Sequence, residues 1–247
     1  MLRTYFLVMA LVAGFIGTGC VSTSHVQTAD TLGAGKSQFA VEPGAGAVAA
    51  FTGEEGDSFY YPHVDLAYRY GVTDTLDLGV RFGSSAVELQ AKILLSDPAD
   101  PDKAISLAPA AMGYFFGGDG ASVNYVNVSV PVLIGFKMSN GSEFVLGPRI
   151  NATTIKIAGV GDTGRANVLS AGTSVGYALR VSDGFRLLPE IGVLFPLVGG
   201  LSTSDTDSEV VAGFESGFVQ FKLGFLFGEG RPISSPAPVD NVESGTP

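Results

Sequence analysis

Apolar and polar side chains alternate with period two through residues 60–95. Val64, Leu66, Tyr68, Tyr70 and Val72 alternate with His63, Asp65, Ala67, Arg69 and Gly71. Beyond the polar turn 73–75, Leu76, Leu78, Val80 and Phe82 alternate with Asp77, Gly79 and Arg81. Beyond 83–85, Val87, Leu89, Ala91, Ile93 and Leu95 alternate with Glu88, Gln90 and Lys92. Successive side chains of a strand point to opposite faces. The stretch therefore predicts a three-stranded antiparallel meander with one apolar and one charged face.

The same period returns along most of the chain. Further strands are expected over 38–51 (broken at Pro43-Gly44), 105–116, 122–138, 144–157, 167–181, 185–198 and 218–227. Between them stand turn-forming residues: the Asp/Pro run 97–102, Asn140-Gly141 and Asp183-Gly184, the last two favouring tight hairpins. Residues 53–58, 159–165 and 199–213 read as loops, the last the longest. Helical periodicity is missing over any useful length. Strands this numerous and evenly spaced predict an all-β fold, an antiparallel up-and-down β-barrel of about ten strands, membrane-embedded. Alternation alone also fits the inverse, a soluble lipocalin-like barrel with the apolar face inside. Pro62, Pro109, Pro131, Pro148, Pro189 and Pro196 fall inside expected strands. Each lacks a ladder donor, so rims, bulges or local openings are expected there.

Composition sharpens this. The 247 residues are 46% hydrophobic, with 34 Gly, one Cys and a formal net charge of −10. An acidic chain without clustered Lys and Arg does not suit nucleic acid. No apolar run beyond the N-terminus is long enough for a membrane-spanning helix. The N-terminus itself, MLRTYFLVMALVAGFIGTGC, has a basic start at Arg3, an apolar stretch and small residues before Cys20, the layout of a secretory signal. Its end, Gly17-Thr18-Gly19-Cys20, resembles a bacterial lipoprotein signal, although Gly17 stands where that family usually has an aliphatic residue. The resemblance implies lipidation at Cys20, and Val21 after it implies the outer membrane.

The domain reading is a signal peptide over 1–19, a lipidated N-terminus and linker over 20–37, the barrel over 38–227 and a disordered Pro/Ser-rich tail over 228–247. The barrel region resembles small Gram-negative outer-membrane β-barrels. That resemblance rests on YRYGVTDTLDLGVRFG, on small positions such as GTSVGYAL, and on the final strand FVQFKLGFLF. It implies an apolar face turned to lipid and a polar lumen, with Phe227 in the place of the terminal Phe that serves as the family's assembly signal. In the family that residue commonly ends the chain; here a further segment follows.

The candidate lumen residues are His63, Asp65, Arg69, Asp77, Arg81, Glu88, Lys92, Arg149, Arg180, Glu190 and Lys222. Asp65, Arg69, Asp77, Arg81, Glu88 and Lys92 would form a ladder of opposite charges, because buried charges need partners. A salt-bridged plug of a narrow barrel is the favoured reading over a selectivity filter. The chemistry-bearing motifs fail on context. Gly35-Lys36-Ser37 lacks the rest of a phosphate loop, and Gly44 to Ala49 lacks the helix of a dinucleotide site. Gly172-Thr173-Ser174-Val175-Gly176 lacks both the helix and the later His of a nucleophile elbow. No cofactor, metal site or enzymatic activity is expected. Expected partners are outer-membrane lipid and an extracellular or periplasmic partner reached through the loops. The expected role is structural or surface interaction; the alternatives are a narrow conduit for small or hydrophobic molecules and a soluble binding barrel.

Overall fold

The computed structural model describes residues 25–50, 59–83, 86–118, 121–159, 163–203, 207–210 and 216–228. Residues 1–19, read above as a signal, Cys20 and the tail 229–247 lie outside the described residues. Thirteen strands are present: β1 (Ser37–Ala50), β2 (Phe59–Gly71), β3 (Leu76–Phe82), β4 (Val87–Leu94), β5 (Lys103–Leu107), β6 (Ala110–Gly118), β7 (Ala121–Lys137), β8 (Glu143–Leu146), β9 (Arg149–Ala158), β10 (Thr163–Ser182), β11 (Phe185–Thr203), β12 (Asp207–Val210) and β13 (Ser216–Gly228). They make ten staves, because β5 with β6 and β8 with β9 each form one interrupted stave and β12 is a short addition to β11. All pairings are antiparallel, and β1 pairs with β13, so the sheet closes into a ten-strand barrel.

The prolines explain the interruptions. Pro109 separates β5 from β6, and Pro148 separates β8 from β9. The carbonyls still pair across each gap: Ala91 N–H donates to Pro109 O at 3.0 Å, and Val132 N–H to Pro148 O at 2.9 Å. Pro196 follows the register shift that skips Leu197 between Leu169↔Val198 and Ser170↔Pro196. Pro62, Pro131 and Pro189 remain in the ladders opposite Ala45, Arg149 and Leu223. Pro43-Gly44 does not break the first strand: β1 runs through it in unbroken register with β2. A Cβ on Gly44 would come 2.6 Å from Lys222 Cγ, so the glycine makes room for that lysine. The long loop expected over 199–213 is shorter in fact. β11 runs on to Thr203, and β12 pairs back onto it at Gly199↔Val210.

The alternating pattern points outward with its apolar half. Leu66, Leu78, Leu89 and Phe221 are 43, 49, 64 and 51% exposed. His63, Asp65, Arg69, Asp77, Arg81, Glu88 and Lys92 are buried inside. On β7 the apolar outer band runs from Val126 to Phe136, eleven residues, which at the usual rise and tilt is about 25 Å, the height of a membrane-facing belt. Aromatic rings gather at the edge near the short turns, where Phe185 stacks on Phe227 with centroids 5.1 Å apart and Phe136 lies 6.4 Å from Phe144. This orientation removes the reading in which the apolar face encloses a ligand.

The stretch read as part of a linker is the main correction. Residues 25–33 are almost entirely buried, and they lie inside the barrel. Val26 sits among Ala40, Ala67, Ala178, Leu188 and Leu226. Ala29 sits among Leu94, Ala104, Ala108, Leu133 and Val145. The chain leaves the lumen at the turn end, where Gly35 N–H donates to Gly71 O and Gly71 N–H to Lys36 O, both at 2.8 Å.

Candidate functional site: a plugged, charge-paired lumen

Inward positions of β1, β2, β3, β4 and β13 place Glu42 at the centre of a buried ion cluster. Arg69 Nη2 donates to Glu42 Oε1 at 3.1 Å, Arg81 Nη1 lies 3.5 Å from Oε2, and Lys222 Nζ lies 3.4 Å from Oε2. Lys222 is also bonded to Asp65, and Arg81 to Glu88. Register builds these pairs: Arg81 stands opposite Glu88 and Asp77 opposite Lys92 on β3 and β4. Lys92 Nζ lies 3.1 Å from Asp77 Oδ2. Across the lumen Arg149 Nη2 lies 3.9 Å from Glu190 Oε1 and donates to Ser174 Oγ at 2.6 Å. Five cations (Arg69, Arg81, Lys92, Arg149, Lys222) thus face five carboxylates (Glu42, Asp65, Asp77, Glu88, Glu190), all buried, while a sixth buried carboxylate, Glu143, is met by the Ala29 N–H. In a space this dry each charge requires such a partner.

The interior segment binds to this cluster through its backbone. His25 and Val26 N–H donate to the two Glu190 oxygens at 3.1 and 3.0 Å. Ala29 N–H donates to Glu143 Oε1 at 2.8 Å, and Leu32 N–H to both Asp77 oxygens at 3.1 Å. Its carbonyls are equally held. Arg69 donates to His25 O at 3.1 Å, Lys92 to Thr28 O and Asp30 O at 3.2 and 2.6 Å, and Ser106 Oγ to Ala29 O at 2.5 Å. Lys137 and Asp30 form an ion pair at 2.8 Å near the turn end. A segment without regular structure is tolerated inside the barrel because side chains satisfy its backbone groups. Val26 adopts φ of 41°, a strained value for a β-branched residue, and Glu190 grips its N–H there.

Ten of the eleven sequence-level lumen candidates are buried together: His63, Asp65, Arg69, Asp77, Arg81, Glu88, Lys92, Arg149, Glu190 and Lys222. Arg180 is apart from them, at the turn end, where Nη2 bonds Asp183 Oδ1 at 2.5 Å. The sequence reading missed Glu42, Gln38 and Glu143, and it set Gln90 and Gln220 on polar strand faces without counting them among the lumen candidates. Gln220 and His63 Nε2 lie 2.9 Å apart, and Arg69 bonds both Gln90 and Gln38. The signal for Glu42 was its parity with Gln38 and Ala40, obscured by the Pro43-Gly44 pair. Above the charged layer, towards the other end, Ala86, Met112, Tyr114, Tyr125, Ile155 and Ala166 form an apolar layer in which Tyr114 and Tyr125 stack at 5.1 Å.

A closed antiparallel barrel with an apolar outside and a polar, ion-paired inside is an outer-membrane β-barrel fold. No protein-family model and no curated protein matches the chain. Solved structures similar to it include Ail, the attachment invasion locus protein of Yersinia pestis, at 10% identity and a TM-score of 0.41, covering 79% of this chain and 99% of Ail. Outer membrane protein OprG of Pseudomonas aeruginosa matches at 10% identity and 0.40, covering 80% and 99%. Neisserial surface protein A matches at 6% and 0.39, covering 77% and 96%. The assignment of the fold rests on the strand geometry and not on these likenesses.

Proposed function

We propose that the chain is a closed-lumen barrel of the bacterial outer membrane with a structural or surface-interaction role, and that its segment 25–36 is a built-in plug. The carrying observation is the filled lumen: the backbone of residues 25–32 occupies the space between paired charges, beneath an apolar layer. Ions and small solutes then have no wet path. The mouth bearing the extended ends of β7, β10 and β11 faces the outside, and the turns at 72–75, 138–142 and 183–184 face the periplasm; the reach of those strand ends and the connection between β1 and β2 support this, with the connection 95–102 long for its side. Export through the N-terminal signal, lipidation of Cys20 and a partner met through the acidic loops belong to the same reading. They are supported by the residues of the signal and by the Glu and Asp of 53–58 and 205–209.

Planar-bilayer recording tests it. The intact chain inserts and stays silent, whereas a variant lacking residues 25–36 shows small conductance steps. Steady steps from the intact chain would overturn the closed-lumen reading.

A further inference from the structure

We infer that the outer wall carries a binding site for a phosphate-bearing lipid headgroup, built on Lys156 and Arg165. The inference rests on the membrane reading above. Lys156 of β9 and Arg165 of β10 are direct register partners, and both are exposed on the outer face. Like charges placed opposite each other on neighbouring strands repel. The Lys156 side chain has no hydrogen bond or ion pair with any described residue, and the Arg165 side chain bonds only Asn167 among them, whose Oδ1 accepts its Nε–H at 3.2 Å. Asn167 Oδ1 also accepts from Thr154 Oγ1 at 2.9 Å, which orients the amide beside the pair.

The surroundings suit an anion. A groove of about 430 Å³ runs across this face, lined by Asn124, Lys156, Thr163, Arg165 and Ser202 among others. A second hollow of about 530 Å³ adjoins it, lined by Asn124, Val126, Thr154, Lys156 and Arg165. Among the described residues, no carboxylate lines either hollow. Among the described residues the next acid along that row by register is Asp207, two strands beyond Arg165 past Ser202 and so about 10 Å away. A chain of net charge −10 here sets two of its 14 cations side by side, with no counter-charge on them among the described residues. Elsewhere in the described staves the cations point inward or lie at the turn end.

Height decides the source of the anion. On β7 the outward residues are Val126, Val128 and Val130 within the belt and Asn124 just above it. Asn124 pairs with Lys156, and Val126 with Thr154, so both cations stand one pleat above the edge of the apolar band. That is the headgroup level of the outward leaflet. A phosphorylated glycolipid seats its acyl chains against the valines and its phosphate between Lys156 and Arg165, with Asn124 and Ser202 offering further polar groups. Arginine and lysine are the donors that phosphate recognition uses.

The test uses the full chain, inserted in phosphatidylcholine vesicles and checked by flotation, then extracted in neutral detergent. Binding of lipid A, of the same lipid with its phosphates removed and of inorganic phosphate is read by native mass spectrometry and by the shift in unfolding midpoint. The expected result is retention of lipid A alone, weakened at least tenfold in K156Q/R165Q and unchanged in K103Q, which alters a cation at the opposite end. Both changes remove an exposed like-charge contact, so folding is kept and is confirmed by the gel shift of the unheated barrel. Equal binding by K156Q/R165Q and the parent overturns the site. Equal binding of phosphate-free lipid, or saturation by inorganic phosphate at the same concentration, overturns the headgroup assignment. Failure to float with vesicles overturns the membrane reading, and this inference with it; flotation without selective binding overturns this inference alone.

Discussion

Glu190 of β11 accepts the backbone N–H of Val26 at 3.0 Å across 164 residues of chain, while its other oxygen accepts that of His25. One carboxylate thereby holds the inner end of the plug and stands 3.9 Å from Arg149. Glu190→Ala removes both functions and leaves the buried Arg149 without its carboxylate. The expected loss is about 3–5 kcal/mol, the range for breaking a buried pair from one side. Urea unfolding from vesicles measures it, and hydrogen exchange at His25 and Val26 should lose its protection first. Unchanged protection at those two amides would show that the apolar pocket alone retains the segment.

Gly224 faces Val26 so closely that an added Cβ would collide with Val26 Cγ1. Gly224→Ala should cost about 1–3 kcal/mol, as overpacking does, and Val26→Ala in the same chain should recover part of it. A double-mutant cycle reads the coupling. Additive effects would mean that the two positions do not touch.

Depth in the belt sets the cost of an outward charge. Val130 lies midway along the apolar band of β7, and Val72 lies at the edge by the short turns. Val130→Arg is expected to destabilise by about 2–4 kcal/mol and Val72→Arg by about 0–1, as in other lipid-facing barrel positions. Equal costs at the two sites would contradict the placement of the belt.

Asp100 lies in the turn between β4 and β5, beyond the membrane-facing strands. The N–H groups of Asp102 and Lys103 donate to its Oδ1 at 2.9 and 3.0 Å and hold its carboxyl below the usual range. A depressed folded value means the contribution is present above the ordinary aspartate range and is lost as pH falls through the folded value. The stability difference between the parent and Asp100→Asn should therefore shrink on acidification below that range. A difference independent of pH would assign the effect to turn geometry alone.

The barrel was legible because its signal is local. Leu66, Leu78 and Leu89 alternate with charged residues two by two, and each turn is written in the residues between them. Which face meets the outside was not legible, since a lipid-facing and a ligand-enclosing wall share one period. The staves over 105–116 and 144–157 were legible as single strands, and Pro109 and Pro148 foretold where each would be interrupted. The plug was illegible for a physical reason. His25 to Leu32 has no period, and its backbone is satisfied by Glu190, Glu143, Asp77, Arg69 and Lys92, residues 44 or more positions away. Lumen glycines held the only trace: Gly71, Gly135 and Gly224 lack the Cβ that would strike Gly33, Ala29 and Val26.

The ion pairs of the lumen do not need the segment that lies among them. Arg69 keeps Glu42 at 3.1 Å, Lys92 keeps Asp77 at 3.1 Å, and Arg149 has Glu190 within reach. Segment 25–36 is thus thermodynamically a tethered ligand, a peptide presented to its receptor at the high effective concentration that covalent linkage confers. Cutting the chain between Lys36 and Ser37 would turn that occupancy into a bimolecular equilibrium, governed by how much free peptide surrounds the barrel.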